Sequence, residues 1–131
     1  MPAAAPDVCA LTGGPDAYGY TFIDSNEAGG PPYSWVDISG TGTSLSLGDD
    51  DIASGIPIGF TFNFYGSDYT PFWVSENGRI MCTEPASAYS LPTATVPSAT
   101  LPHNYIAPFW DNLAVDGTGN ILYATIGAAP P

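Results

Sequence analysis

Large apolar residues alternate with small or polar ones through Ile58-Gly59-Phe60-Thr61-Phe62-Asn63-Phe64. A period of two predicts a strand with one face covered and the other in water. A second run, Phe72-Trp73-Val74-Ser75-Glu76-Asn77-Gly78-Arg79-Ile80-Met81, is broken by Asn77-Gly78. That dipeptide supplies the positive φ angles of a two-residue turn and predicts a tight hairpin, with Glu76 solvated beside it. Weaker apolar runs place further strands near Tyr18 to Ile23, Ser34 to Ile38 and Ser44 to Leu47. With Ile56 to Tyr65, Tyr69 to Ser75, Arg79 to Thr83, Tyr105 to Trp110 and Ile121 to Ile126, the chain carries eight. Every window of helical length is interrupted by Gly or Pro, so almost no helix is expected. Between Glu84 and His103 stand Pro85, Pro92, Pro97 and Pro102. Proline cannot donate to a ladder, and this stretch reads as an ordered wrapping loop.

Eight short strands in 131 residues predict an all-β domain, an antiparallel two-sheet β-sandwich of the jelly-roll kind. The expected division is an N-terminal arm over residues 1–17, the sandwich over 18–127 and a tail over 128–131. With 44% hydrophobic residues the chain has core material, and its 15 Gly and 14 Pro punctuate strands rather than signal disorder. No apolar run is long enough to span a membrane. The start Met1-Pro2-Ala3-Ala4-Ala5-Pro6 lacks the basic-then-apolar order of a signal peptide, so secretion would use a leader already removed, or Met1 would be an added start to a mature domain.

Charge narrows the partners. Thirteen acidic residues face one cation, Arg79, for a formal net charge of -12. Nucleic acid and anionic lipid would be repelled, so neither nucleic-acid binding nor membrane insertion is expected. Two cysteines, Cys9 and Cys82, fit no zinc spacing, because only His103 could join them. A disulfide between them is the expectation, worth on the order of 4 kcal/mol for so long a loop. It would imply an oxidising compartment; two separate buried thiols are the alternative.

Calcium is the one candidate cofactor. Asp49, Asp50 and Asp51 form one oxygen-rich loop, and Asp111, Asn112, Asp116 and Asn120 form another, although neither follows the EF-hand pattern. The competing reading of each is a solvated turn. His103 has no nucleophile motif around it, and Glu76 or Glu84 paired with an Asp is a weak basis for glycoside hydrolysis, so no catalytic residue and no enzyme is expected. Trp35, Trp73 and Trp110 are candidate contacts for a glycan or a protein partner, though core filling is the commoner use of such rings.

Ile58-Gly59-Phe60-Thr61-Phe62-Asn63-Phe64-Tyr65-Gly66, Val74-Ser75-Glu76-Asn77-Gly78, Leu91-Pro92 and Asn104-Tyr105-Ile106-Ala107-Pro108-Phe109-Trp110-Asp111 follow one another in a recognisable order. So do the lead-in segments Gly19-Tyr20-Thr21-Phe22-Ile23-Asp24-Ser25 and Trp35-Val36-Asp37-Ile38-Ser39-Gly40-Thr41-Gly42. Together they resemble a β-sandwich module recurrent in large secreted bacterial proteins, remotely similar to the nidogen-type extracellular domain. The resemblance implies an extracellular or cell-surface location and no catalytic role. Relatives continue past Gly127 into further strands, which would leave a sheet edge and a core groove open here. The expectation is a structural or adhesive extracellular module, either a fragment of a longer protein or a self-assembling filament subunit completed by strand exchange, with the arm as donor. Its partners would be copies of itself, other extracellular proteins or glycans. A carbohydrate-binding module is the alternative.

Overall fold

A computed structural model describes residues 11–85, 103–115 and 119–127. The expected arm up to residue 10, most of the wrapping loop and the tail lie outside the described residues. So do Cys9 and Asp116. The chain divides into two units, one ending at Asp37 and the other starting at Ile38. Sequence reading places the arm boundary after residue 17.

In the first unit, β1 (Thr12–Gly13) pairs antiparallel with β2 (Phe22–Ile23), Thr12 opposite Ile23. Two aspartates organise this ribbon. Asp24 Oδ2 accepts from Leu11 N (2.8 Å), and its Oδ1 accepts from Asn26 N and Glu27 N (2.8 and 3.2 Å). Asp16 Oδ1 accepts from three backbone N–H groups in the loop between the strands. Short Asp side chains compete well for local N–H groups, which fixes loops of this kind. The strand expected over Ser34 to Ile38 is absent. Pro31 and Pro32 remove two donors just before it, and Tyr33, Trp35 and Val36 stay exposed with no strand beside them.

The second unit holds two sheets. β3 (Thr43–Leu45) pairs with β8 (Ile121–Tyr123), and β4 (Ile52–Phe64), β5 (Ser67–Ser75), β6 (Arg79–Met81) and β7 (Tyr105–Ile106) form an antiparallel meander in chain order. The all-β class holds, and no helix occurs among the described residues. None there is therefore long and apolar enough to cross a membrane. The strands form three antiparallel sheets, two of them ribbons.

The period-two reading of β4 is correct. Ile58 is buried, Phe60, Phe62 and Phe64 are half-buried, and Gly59, Thr61 and Asn63 face water. Phe62 meets Phe72 of β5 edge to face at 5.6 Å, an arrangement that favours the ring quadrupoles. β4 begins earlier than expected because a bulge follows Ala53, where β4 spends one residue more than β5 before pairing resumes at Ile56–Phe72. Its hairpin to β5 turns on Tyr65 and Gly66, with φ of 48° and 76°. Two consecutive positive φ values make this the two-residue turn of the fold.

Asn77-Gly78, expected to be that turn, sits in a different one. Ser75 pairs with Arg79, so Glu76, Asn77 and Gly78 form a three-residue loop, and Gly78 N donates to Ser75 O (3.2 Å). Within it only Gly78 has positive φ (+79°). Asn77 therefore keeps an ordinary backbone and turns its side chain inward. Glu76, expected to be solvated, is 3% exposed.

Candidate functional site

The Ser75-Glu76-Asn77-Gly78-Arg79 turn is the most buried polar feature among the described residues. A buried polar group must find partners inside the protein, and here the partners come from two other loops. Glu76 Oε1 accepts from Asp50 N (2.8 Å), and Oε2 accepts from Asn77 N (2.9 Å) and Ser75 Oγ (3.2 Å). Asn77, fully buried, donates from Nδ2 to Asp50 Oδ1 (3.2 Å) and accepts at Oδ1 from Leu113 N (2.8 Å). Gly78 lies so close to the 109–113 segment that an added Cβ would sit 1.8 Å from Phe109 O. The turn thus ties the 48–51 loop to the 109–113 segment.

This arrangement brings some of the candidate calcium ligands together. Carboxylate oxygens of Asp49, Asp50 and Glu76 fall within 4.8 Å of one another, the one such convergence among the described residues. Glu76 stands with Asp49 and Asp50 in this cluster, and Asp51 does not. Asp51 Oδ1 accepts from Ile52 N (2.9 Å) and Oδ2 from Gly48 N (3.3 Å), which is the solvated-turn alternative. In the second loop, Asp111 Oδ1 accepts from Asn112 N (2.8 Å), and both residues are exposed. Asn120 Oδ1 accepts from Ser44 Oγ across β3 and β8 (2.6 Å). Three carboxylates could supply part of the six to eight oxygens calcium takes, with water or backbone completing the shell.

Arg79 follows the turn at 1% exposure. Its guanidinium lies over Trp110, which meets Tyr105 edge to face at 5.3 Å. Nε and both terminal nitrogens lack a hydrogen-bond partner among the described residues. Burial lowers the Arg79 pKa, while the negative charge available to Tyr105 and Glu76 pulls it back up. Burying the sole cation leaves negative charge to dominate the surface.

On the other face of the β5–β6 pair, Val74, Ile80, Pro108, Phe109, Leu113 and Ile121 line an open apolar groove of about 320 Å³. Sequence reading allowed for an open core groove but named none of its walls, because they come from β5, β6, β8 and the segment between β7 and β8. Only Leu45, Ile58, Met81 and Cys82 are buried hydrophobics among the described residues. Cys82 has no disulfide partner there, and burial raises its thiol pKa; the expected pairing with Cys9 lies outside the described residues. Trp35 is exposed, Trp73 and Trp110 are half-buried, and His103 is exposed on its loop.

Comparison with curated proteins and with solved structures returned no significant match. A family model described as NIDO related matches residues 19–131, which is most of the chain. The chain belongs to the NIDO-related family and is an extracellular module of that kind.

Proposed function

We propose that the chain is a structural or adhesive module that works by binding rather than catalysis, as the subunit of a filament in which a neighbour's strand completes each copy. The apolar groove beside Val74, Ile80 and Ile121 carries this reading. A domain of this size normally closes such a space with its own side chains, and an apolar strand from a second copy has the shape and chemistry to fill it. No strand lies beyond β4 in its sheet among the described residues, although Thr125 Oγ1 donates to Ile58 O (2.7 Å) and so engages part of that strand's backbone. Pro57 and the bulges blunt that edge, which favours the groove as the point of engagement.

Charge sets a condition on assembly. Copies with a net charge of -12 repel one another, and salt shortens the reach of that repulsion to about 10 Å at 0.1 M. Assembly should therefore strengthen with ionic strength. The test is light scattering of the full chain across concentration and salt, for wild type and Phe109→Ser. Phe109 lines the groove yet is 66% exposed, so its loss should spare the fold. Assembly lost in the variant with unchanged thermal unfolding supports the groove; assembly unaffected by the substitution removes it. A second reading, carbohydrate binding, is favoured by exposed aromatic side chains in the first unit.

A further inference from the structure

We propose that Asn77-Gly78 is a latent deamidation site, shut while its turn is folded and reactive once the turn opens, so that opening leaves a covalent mark that bars the turn from closing again. This stands apart from assembly through the groove. Of the six asparagines in the chain, only Asn77 precedes a glycine. That pairing favours ring closure, because Gly78 has no side chain to hinder the approach of its nitrogen to the neighbouring amide.

The chemistry needs water alone. Gly78 N attacks Asn77 Cγ and bonds to it, and the Cγ–Nδ2 bond breaks as ammonia leaves with the proton from Gly78 N. The resulting cyclic imide adds one water molecule at either of its carbonyls. The product is an aspartate, or an isoaspartate whose backbone runs through the former side chain.

The folded turn blocks each requirement. Asn77 is fully buried, so water has no access to its amide. The amide is held at both ends, Nδ2 donating to Asp50 Oδ1 (3.2 Å) and Oδ1 accepting from Leu113 N (2.8 Å). The attacking nitrogen is engaged as well, donating to Ser75 O (3.2 Å). Gly78 is too close to Phe109 O for its backbone to swing freely toward the Asn77 side chain.

The product does not fit the space the amide filled. A carboxylate there has no proton to donate to Asp50 Oδ1 and adds a like charge beside Asp50 and the buried Glu76. An isoaspartate also lengthens a three-residue loop whose ends are fixed by the Ser75–Arg79 pair. Either product therefore opposes closure of the turn.

The experiment ages the full chain in mildly alkaline buffer, without denaturant and in guanidinium chloride at and above the unfolding midpoint. Peptide mass spectrometry reads the conversion of amide to acid at each asparagine. Asn77 should convert in denaturant ahead of the other five, and slower by about a hundredfold or more in the folded chain, a ratio that follows how rarely the turn opens. A brief trypsin pulse after dilution then sorts the chains, since the sole trypsin site follows Arg79, two residues beyond Asn77 and buried. Converted chains should be cut and unconverted ones should resist. The same comparison on chains aged without denaturant needs no refolding step. No conversion at Asn77 in denaturant, or similar rates in both conditions, would overturn the latent site. Converted chains that resist trypsin as well as unconverted ones would overturn the bar on closure.

Discussion

The Arg79 guanidinium carbon lies 4.6 Å from the centre of the Trp110 ring, and no hydrogen-bond acceptor meets its nitrogens among the described residues. A buried cation whose nitrogens find no hydrogen-bond acceptor gains about 1–2 kcal/mol from an aromatic face and forgoes several in hydration. Arg79→Met should therefore stay within about 1 kcal/mol of wild type in urea unfolding. Arg79→Ala leaves a void and should cost about 2–4 kcal/mol. A loss above 3 kcal/mol in the methionine variant would reveal an acceptor that engages the guanidinium. Because the chain has no lysine, trypsin can cut only after Arg79, and a 1% exposed site should resist until the domain opens.

Asn77 carries the junction between loops. Asn77→Ala strips Leu113 N of its acceptor inside the protein and should cost about 2–3 kcal/mol in chemical unfolding. Asn77→Asp keeps an acceptor for Leu113 N but sets a carboxylate against Asp50 Oδ1. Its penalty should shrink at acid pH, where one of the two is protonated. An aspartate variant as stable as wild type at neutral pH would show that the Asp50 contact contributes nothing.

Gly78 combines a φ of +79° with an approach that no side chain fits. Gly78→Ala should destabilise by about 3 kcal/mol or more, from backbone strain together with displacement of the Phe109 carbonyl. A loss below 1 kcal/mol would mean that the 109–113 segment can move away freely.

Much of the architecture was legible locally. Alternation over Ile58 to Phe64 identified β4 because one strand face is covered and the other wet, and that demand is written residue by residue. Asn77-Gly78 marked a turn correctly. Its length and the burial of Glu76 and Asn77 depend on Asp50 and Leu113, which lie 27 and 36 positions away in sequence, and no local pattern encodes such partners. The same reason hid the groove. Ser34 to Ile38 shows the converse, since an apolar run of strand-like composition pairs with no strand among the described residues and is irregular.

A calcium ion at Asp49, Asp50 and Glu76 would be held weakly, at the millimolar order found in extracellular modules, because three carboxylates converge there among the described residues. At ten times the dissociation constant it would stabilise by about 1.4 kcal/mol, visible as a rise of a few degrees in Tm. Asp49→Asn with Asp50→Asn should abolish that rise. An equal rise in the double variant would place the effect elsewhere on the acidic surface.

In the reduced protein, burial holds the Cys82 thiol pKa above its unfolded value of about 8.5. The folded state then binds the proton more tightly than the unfolded state does. Its contribution is fully present below pH 8.5 or so and is lost as pH rises through the folded value. Urea midpoints should decline with alkaline pH in the reduced wild type and less in Cys82→Ala. Equal slopes would show that the thiol is solvated.

Negative-stain electron microscopy of the full chain, with light scattering on the same sample at physiological salt, tests strand-completed assembly most directly. Ordered filaments that disappear with Phe109→Ser are the predicted result. A uniform monomer at every concentration and salt would contradict it.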